Sequence, residues 1–572
     1  MKNLLVANIL YQIADLLDLK GENFFKTRAY RMAAQIIEVM DEDIEDLTKE
    51  DRLVEIQGIG EALAKKIKEI VETGKLEYFE RLKKEIPQGL INLLNIPGLG
   101  PKKVAAIYKN LGITTLIELQ KAANEGKLRN LDGFGEITEQ NIIRGIQLLE
   151  KTSGRALLNV AYLNGFNYLK YLEKCEEIEK VNVAGSLRRM KETIGDIDIL
   201  ASSNKSKIVM EYFVAYSEVQ QILAKGTTKS SVILKDNIQV DLRVVEPKSF
   251  GAALQYFTGS KEHNVSLRSF AIKKGYKLNE YGLFNKNTEK FIAGKTEEEI
   301  YKKIGFPYIE PEIRENRGEF DAAKNKILPK LVGYNEILGD FHVHSLWSDG
   351  DDSIENLSFF AKKMGYSFIG ITDHSQSLKI ANGLSEERVD KKIKEISRLN
   401  KKFSNFTIFC GTECDIKADG TLDYNNKILK KFDFVYIGIH SGFKMDKNKM
   451  TNRIIKGMYN ENVDFLAHPT GRLIGKRDPY QVDIEKIIDV AKETNTFLEI
   501  NAFPDRLDLE DSHCKIAKEK KIKCVLGTDS HNINHLCFMR FGTATARRGW
   551  LEKKDILNTY SLSEIEKILK IN

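Results

Sequence analysis

The sequence predicts a multidomain protein with an all-helical N-terminal region, an α+β central region and a C-terminal distorted α/β barrel. Glycine turns punctuate helical patterns in the first 150 residues, and from 151 to 312 short apolar strands carry isolated carboxylates. Beyond residue 336, apolar strands alternate with amphipathic helices, and eight of the 9 histidines lie there. A chain of 572 residues is long enough for several domains.

The composition is that of an ordinary soluble protein, with 42% hydrophobic and 30% charged residues. Because the net charge is only +6, a surface that binds nucleic acid has to be local. The 6 cysteines form no CxxC pair, which is typical of reduced thiols in the cytoplasm. No apolar run reaches transmembrane length. We therefore expect a cytoplasmic, nucleoid-associated monomer without a membrane partner.

Three similar turns recur in the N-terminal region, at 56–60, 96–100 and 131–135. Each has the pattern apolar-x-Gly-apolar-Gly and precedes a predicted helix, as in helix-hairpin-helix modules. Glycines let the backbone approach a phosphate and direct N–H groups at it without reading bases. A glycine-rich connector has the same appearance, but three copies favour DNA binding. The predicted DNA contacts are Gly58, Gly60, Gly98, Gly100, Lys102, Gly133 and Gly135.

The central region contains a tight turn at Gly185-Ser186 and a predicted strand at 196–200. Residues two apart on a strand share a face, so Asp196 and Asp198 present two carboxylates side by side. Such a pair repels unless a cation lies between its members. An edge strand with two solvated acids is the alternative, and the adjoining turn and arginines favour a cation site.

These motifs resemble the DNA polymerase X family of nucleotidyltransferases, in which a third aspartate completes the metal site. Asp241, alone in the apolar run 238–245, matches it. The resemblance implies that Asp196, Asp198 and Asp241 are catalytic and hold two Mg²⁺ or Mn²⁺ ions. It also implies a nucleotidyltransferase palm and thumb. The implied nucleotide contacts are Arg155, Gly185, Ser186, Arg189, Gly195, Tyr256, Phe257, Gly259 and Asn264.

Two further residues take their expected roles from the same resemblance. Asn264 and Arg268 are four apart on a predicted helix, where they would meet the minor groove, and Arg268 is a predicted DNA contact. Lys66 matches the lysine that forms a Schiff base with an abasic sugar in lyase-active members. Ala62 stands where such members carry another DNA-contacting lysine, which favours the alternative that Lys66 only contacts a phosphate.

In the C-terminal segment, the predicted apolar strands end in potential metal ligands. When strand-helix repeats close into a barrel, the ends of all the strands lie at one mouth. Histidine and carboxylate ligands suit Mn²⁺, Zn²⁺ or Fe²⁺ better than Mg²⁺. The segment resembles the PHP (polymerase and histidinol phosphatase) domain, a TIM-like barrel with three metals. The resemblance implies three sets: His342, His344, Glu413 and Asp529; Glu413, His440 and His468; and Asp349, His374 and His531.

Six domains are predicted: a lyase-like domain (residues 1–85), helix-hairpin-helix fingers (86–150), a palm (151–245), a thumb (246–312), a linker (313–335) and the PHP domain (336–572). The expected function is gap filling in DNA repair with dNTPs on gapped or primer-template DNA. Removal of nucleotides from 3′ ends, and cleavage at abasic sites, would accompany it. The alternatives are a phosphoesterase whose N-terminal half only binds DNA, and a non-enzymatic scaffold. Neither alternative explains two complete ligand sets.

Overall fold

The computed structural model describes residues 2–39, 44–56, 58–94, 96, 99–152 and 154–571. Gly98, one of the predicted DNA contacts, lies outside the described residues. The chain divides into two compact units: Met1–Ser153 with Gly475–Arg477, and Gly154–Ile474 with Asp478–Asn572. Within the described residues, no helix is both long enough and apolar enough to cross a lipid bilayer.

The N-terminal unit is helical. Ile9, Ile13 and Leu16 recur at helical spacing on the first helix and are buried in one apolar cluster that extends to Ile146. Glycine in the left-handed region ends the helices that stop at Thr73 and Leu111. In the described residues its helices are α1 Lys2–Leu19, α2 Phe24–Val39, α3 Ile44–Lys49, α4 Glu61–Thr73, α5 Glu77–Glu85, α6 Gln88–Leu93, α7 Pro101–Leu111, α8 Leu116–Asn124 and α9 Glu136–Thr152.

The palm, residues 154–245, is built on a five-stranded sheet in the order β2-β4-β7-β6-β5, in which only β4 and β7 are parallel. β1 and β3 form a small antiparallel ribbon. The elements are β1 Ala156–Leu157, α10 Leu158–Leu172, β2 Lys180–Val183, α11 Gly185–Arg188, β3 Thr193–Ile194, β4 Asp196–Ser202, α12 Ser206–Val214, β5 Val219–Lys225, β6 Lys229–Leu234 and β7 Gln239–Val245.

The thumb follows with two helices, a three-stranded antiparallel sheet and a third helix. Its elements are α13 Phe250–Thr258, α14 Lys261–Lys273, β8 Tyr276–Asn279, β9 Gly282–Asn285, β10 Phe291–Ala293 and α15 Glu297–Ile304.

The segment 313–335, expected to be a linker, contains α16 Glu319–Lys324 and packs closely against its neighbours. Arg314 is fully buried and pairs with Glu297, and Glu319 lies 2.7 Å from the buried His263. These charges are therefore paired inside the second unit, and α16 lies in the segment for which the sequence pattern indicated a linker with a short helix.

The C-terminal domain is a seven-stranded parallel sheet whose strands follow chain order. The backbone bridge between Val343 and Ser530 joins its first and last strands, which nearly closes the barrel. The predicted fold class is confirmed. The strands are β11 Gly339–Val343, β12 Phe368–Ile371, β13 Thr407–Asp415, β14 Phe434–Gly438, β15 Phe465–Leu466, β16 Phe497–Asn501 and β17 Cys524–Gly527. The helices are α17 Ile354–Lys363, α18 Glu386–Asn400, α19 Asn426–Leu429, α20 Lys447–Met458, α21 Ile484–Thr494, α22 Asp511–Glu519, α23 Met539–Arg548 and α24 Leu562–Leu569.

Aromatic rings fill the interior of the barrel. Phe341, Phe434 and Phe465 pack with ring centroids 5.3 to 5.6 Å apart. Gly370 and Gly411 make room for them, because a Cβ atom at either position would lie 2.6 or 2.4 Å from the Phe434 ring. The interior is thus a packed core, and polar ligands are confined to the carboxyl ends of the strands.

Candidate active sites

The three palm aspartates meet across the parallel pair β4 and β7. Asp198 lies directly opposite Asp241 in the register, and Asp196 is two residues earlier on the same face. One carboxylate oxygen from each lies within 4.8 Å of the others, with Asp196 exposed and Asp241 buried. Three carboxylates that converge in this way can hold divalent cations.

Gly185 allows the turn after β2 to touch this site. Its φ is +59°, and a Cβ atom there would lie 2.1 Å from Oδ2 of Asp198. The amide of Ala184 also donates to the carbonyl oxygen of Asp198 at 2.8 Å. Ser186 follows Gly185 in α11.

The pKa values of two palm aspartates are shifted in opposite directions. Burial, followed by the nearby Asp196 and Asp241, raises the pKa of Asp198 to about 7. Burial acts in the same direction on Asp241, but hydrogen bonds from Lys229 and Gln239 outweigh it and lower the pKa of Asp241. Lys229 lies 2.7 Å from Asp241. A crowded acidic site of this kind fits cation binding, and sequence reasoning missed the Lys229 contact because the lysine lies on a different strand.

The predicted phosphate contacts lie around the same turn. Arg155 donates to the hydroxyl and carbonyl oxygens of Thr193 at 2.9 and 2.6 Å, and its guanidinium lies over Gly195. Arg189 instead donates to Glu315 at 3.0 Å and to the carbonyl of Thr258 at 2.8 Å. A triphosphate would have to compete with Glu315 for Arg189.

The predicted sugar and minor-groove contacts gather at the end of α13. Asn264 donates to the carbonyl oxygens of Tyr256 and Gly259 at 2.6 and 3.1 Å, which orders the turn. The Arg268 guanidinium lies 6.0 Å from the Tyr256 ring. The guanidinium of Arg243 lies 4.5 Å from the centroid of the Phe257 ring. Asn264 thus bonds to backbone carbonyls, and the two guanidinium groups lie over aromatic rings.

The three glycine turns of the N-terminal unit share one backbone hydrogen bond. The amide of the apolar residue between the glycines donates to a carbonyl three residues earlier, at 2.9, 3.0 and 2.9 Å for Ile59, Leu99 and Phe134. These three side chains are buried and anchor the turns. Among the described residues, nothing lies within 4 Å of a Cβ atom built at Gly60, Gly100 or Gly135, so the backbone is open to a phosphate there. The other glycines with described geometry, Gly58 and Gly133, have φ of +96° and +75°.

Lys102 is exposed on α7. Its ammonium group lies 5.5 Å from the Phe24 ring.

Lys66 lies in a small aromatic niche on α4. Its Nζ donates to the hydroxyl oxygen of Tyr30 at 2.7 Å and lies 4.5 Å from the Tyr78 ring centroid. Burial, and then the nearby Lys26 and Arg81, lower the pKa of Lys66. A lysine in such surroundings has a larger neutral fraction and is a better nucleophile.

The nine predicted barrel ligands converge at the mouth formed by the carboxyl ends of the strands. Glu413 is central: its Oε1 lies 3.0 Å from His440 Nε2 and 2.9 Å from His468 Nε2. Its Oε2 lies 3.3 Å from His342 Nε2 and 3.2 Å from His374 Nδ1. The carboxylate therefore touches two groups of histidines, as a bridging ligand would.

The remaining ligands complete two overlapping groups. Asp529 Oδ1 lies 3.3 Å from His344 Nε2 and 3.8 Å from His342 Nε2. Asp349 Oδ2 lies 3.4 Å from His531 Nε2 and 3.7 Å from His374 Nε2. Three sets have ligand atoms within 4.8 Å of one another: His344, Asp349, His374 and His531; His342, His344 and Asp529; and His374, Glu413 and His440. His344 and His374 thus lie within reach of two sets each.

Several local features make this convergence possible. His468 and Asp529 adopt positive φ angles of 27° and 55°, which are uncommon for residues other than glycine. A Cβ atom at Gly438 would lie 2.9 Å from Glu413, and one at Gly527 would lie 2.4 Å from His342. Glycine is required at both positions to make room for the ligands.

Sequence reasoning missed the carboxylates that support the ligands. Glu499 Oε1 lies 2.6 Å from His342 Nδ1, and Asp415 Oδ1 lies 2.8 Å from His440 Nδ1. Asn501 donates to Asp529 at 3.1 Å. Glu499 carried a usable signal, since it is a lone acid in an apolar strand like Glu413. These groups orient the ligand imidazoles as supporting residues do in metal sites.

The barrel donors fit metal ions. Among the described residues, four buried atoms of the predicted ligands lack a hydrogen-bond partner: His344 Nδ1, Asp349 Oδ1, His374 Nδ1 and His468 Nδ1. Burial, opposed by Glu413 and reinforced by His344, lowers the pKa of His374 to about 3, so this imidazole is a neutral ligand at pH 7. Burial acts against charge on Glu413, but His440, His374 and His342 hold its pKa well below the usual range. Unsatisfied nitrogen and oxygen donors in a dry site suit Mn²⁺, Zn²⁺ or Fe²⁺.

Comparison with known proteins decides the family. The chain is 40% identical over 569 residues to the DNA polymerase/3'-5' exonuclease PolX of Bacillus subtilis (strain 168), and the match covers 99% of each protein. The chain belongs to the family X DNA polymerases that carry a PHP domain. Family models match the helix-hairpin-helix domain over residues 1–76, the SAM-like helix-hairpin-helix tandem over 90–147, the DNA polymerase beta thumb over 253–315 and the PHP domain over 340–503.

Two further relatives match only part of this family X chain. DNA polymerase lambda of Rattus norvegicus is 27% identical over 294 residues, which are 46% of this chain and 48% of that protein. A probable phosphatase of Thermoanaerobacter sp. (strain X514) is 30% identical over 203 residues, which are 34% of this chain and 78% of that protein. The resemblance to family X and to the PHP domain is confirmed.

Proposed function

We propose that this chain is a repair polymerase that fills short gaps with dNTPs at the palm and removes nucleotides from 3′ ends at the barrel mouth. The observation that carries the proposal is the presence of two separate ligand clusters in one compact unit. One is the carboxylate group Asp196, Asp198 and Asp241, and the other is the histidine-rich group around Glu413. Neither cluster lacks a predicted member.

In the palm, the three aspartates would hold two Mg²⁺ or Mn²⁺ ions. Such cations stabilise charge on the attacking 3′-oxygen and on the pyrophosphate leaving group. Ser186 and Arg155 would contact the triphosphate, and Tyr256 and Phe257 would pack against the sugar of the dNTP. Asn264 and Arg268 would meet minor-groove acceptors that all base pairs share, so pair shape is tested without preference for sequence.

In the barrel, nine residues would hold three ions, with Glu413 between two of them. Divalent cations at such a site lower the pKa of water and neutralise charge on a scissile phosphate. Glu499 and Asp415 keep the proton on Nδ1 of His342 and His440, so that Nε2 of each ring points to the cluster as a ligand. The same chemistry would serve blocked 3′ ends and abasic sites.

The two activities are separable by substitution. Asp198→Asn should lower primer extension on a gapped duplex by at least about 10³-fold and leave Mn²⁺-dependent 3′ trimming within about twofold. His344→Ala should do the reverse. Both variants are to be compared with Lys449→Met, which removes an exposed barrel lysine whose partner is Asp446. A folded variant that loses both activities would contradict the division of labour.

The same experiment decides between this proposal and a phosphoesterase whose N-terminal half only binds DNA. That alternative predicts no dNTP incorporation by the wild-type chain on any gapped duplex. Metal reconstitution after EDTA treatment, with one divalent cation at a time, would then identify the barrel metals through recovery of 3′ trimming.

We also propose an abasic-site lyase activity at Lys66. The specific support is the niche of Tyr30 and Tyr78, in which the amine is held and its pKa lowered. If Lys66 instead only contacts a phosphate, borohydride would trap no covalent adduct with an abasic duplex, although DNA binding would still depend on the residue.

A further inference from the structure

One fully buried lysine contacts two of the strands that carry the predicted metal ligands. Lys392 of α18 has no exposed surface, and its Nζ lies 2.9 Å from Oδ2 of the buried Asp373. The ammonium also donates to the carbonyl oxygens of Ile371 and Gly411 at 3.1 and 3.0 Å. These three acceptors use all three donors of the lysine. Lys392 therefore ties the carboxyl end of β12 to the middle of β13.

Asp373 extends the same network to a third strand. It accepts hydrogen bonds from the amide and hydroxyl of Ser345 at 2.8 and 3.0 Å, and from the hydroxyl of Ser348 at 2.8 Å. Ser345 directly follows His344, and Ser348 directly precedes Asp349. His374 is the residue after Asp373 itself. The Lys392–Asp373 pair thus anchors the backbone next to three predicted ligands, His344, Asp349 and His374.

The rest of the cluster has different supports. His342 and His440 are oriented by Glu499 and Asp415 at 2.6 and 2.8 Å. By contrast, the Nδ1 atoms of His344, His374 and His468 have no hydrogen-bond partner among the described residues. The backbone of His468 is held by Glu499, which accepts from its amide at 2.7 Å. The positions of His344 and His374 depend on backbone placement, to which the hydrogen bonds of Asp373 contribute.

We propose that Lys392 and Asp373 are positioning residues chiefly for the metal subsite formed by His344, Asp349, His374 and His531. Three of these four ligands lie on or next to the segments that the pair anchors, whereas each of the other two sets has only one such ligand. This inference rests on the proposed metal-dependent function of the barrel. Without the buried pair, the segments at 345–348 and 373–375 lose their common anchor, while Glu499 and Asp415 continue to support the other ligands. Loss of a supporting interaction typically weakens metal binding about 10- to 100-fold.

The test measures metal content of the full chain. Wild type and Lys392→Met are loaded with Mn²⁺, desalted, and analysed by inductively coupled plasma mass spectrometry, and the Mn²⁺ affinity of each site is measured by titration. We expect three retained ions per barrel in wild type and two in Lys392→Met, with the weakest dissociation constant raised about 10- to 100-fold. Primer extension by the same preparations should stay within about twofold.

The matched control is Lys391→Met on the same helix, since Lys391 is exposed and pairs only with the surface residue Glu387 among the described residues. It should retain three ions. Ser348→Ala, which removes one of the hydrogen bonds to Asp373, should weaken the same site by a smaller factor. An unchanged third site in Lys392→Met would overturn the inference.

A lone buried carboxylate in Lys392→Met can unfold the barrel, which would appear as loss of all three ions and of the near-ultraviolet circular dichroism. The double variant Lys392→Met with Asp373→Asn removes both charges at similar volume and decides that case. Two retained ions support the inference, and three overturn it. A wild-type chain that retains no barrel metal would overturn the proposed barrel function together with this inference, an outcome distinct from the previous ones.

Discussion

Arg472 of the barrel lies 2.7 Å from Glu192 of the palm, so an ion pair joins the two catalytic halves of the chain. The guanidinium also pairs with Glu510 at 3.1 Å and donates to the carbonyl oxygens of Arg506 and Leu507 at 2.8 and 2.6 Å. Arg506 in turn lies 3.2 Å from Asp529, one of the predicted metal ligands. The loop that supports this ligand is therefore held by a residue that also contacts the palm.

The two partners of this ion pair should contribute unequally to stability. The Glu192 side chain is 43% exposed, and Glu192→Gln should cost no more than about 0.5–1 kcal/mol. Arg472→Met should cost about 2–4 kcal/mol, because it leaves buried carbonyl groups without a donor. Thermal unfolding of the full chain checks both, with Lys449→Met as an exposed control. Equal effects of the two variants would show that the palm contact dominates.

Gly185→Ala should inactivate the polymerase selectively. The new methyl group would lie 2.1 Å from Oδ2 of Asp198 and displace a carboxylate at the site. A misplacement of about 1 Å can lower a rate about 100-fold, which is the reduction expected in primer extension. Trimming of 3′ ends should be unaffected.

Gly365→Ala is the matched control for Gly185→Ala. Gly365 also has a positive φ, +92°, but nothing lies within 4 Å of its Cβ position among the described residues. It carries the same backbone cost, about 1 kcal/mol, without a clash at the palm. Retained primer extension in Gly185→Ala would mean that the turn moves freely away from Asp198.

The glycine turns predict a loss of DNA affinity without a loss of stability. Gly60 and Gly100 have φ angles of −86° and −76°, which alanine adopts readily, and their Cβ positions are open. Alanine at either position should weaken binding about fivefold by blocking one phosphate contact, with an unchanged melting temperature. Fluorescence anisotropy on a gapped duplex measures the affinity.

Lys102→Ala serves as the electrostatic comparison. Removal of one phosphate-binding cation should reduce the slope of log K against log salt by about 0.9, whereas the glycine variants should leave the slope nearly unchanged. Affinity that does not depend on salt in the wild-type chain would contradict the phosphate-binding role of the turns.

Schiff-base formation at Lys66 should depend on pH in a defined direction. The amine must be neutral to react, and burial, Lys26 and Arg81 lower its pKa. Adduct yield should therefore rise with pH at a midpoint below that of an exposed lysine. Lys26→Met and Arg81→Met should each shift this midpoint to higher pH, since each removes a nearby positive charge. Borohydride trapping at a series of pH values measures the midpoint, and Lys66→Ala should give no adduct.

Much of the fold was predictable because its signals are local. The glycine turns, the lone aspartates in apolar strands and the histidines at strand ends each lie within a few residues of the pattern that identifies them. Strand-helix repeats predicted the barrel, and the barrel then implied that ligands distant in sequence meet at one mouth. Ligand positions such as His468 were expected in this way, whereas Asp241 was expected from the resemblance to family X.

The supporting contacts were not predictable in the same manner. Lys229 beside Asp241, Glu192 beside Arg472 and the packed segment 313–335 are ordinary charged residues in sequence. Only the docking of separate strands and helices brings them to their partners. Composition therefore suggested a linker with a short helix, and the buried ion pairs of this segment depend on tertiary packing.

The sequence by itself pointed to the residues that we propose carry the chemistry, through patterns that act over a few residues and through the resemblance to family X and the PHP domain. The tertiary structure decided what holds these residues in place. In the sequence, Lys392 is indistinguishable from a lysine on the surface of a helix. Its burial beside Asp373 is seen only in the folded barrel, because burial of a charge depends on long-range packing and on a nearby partner.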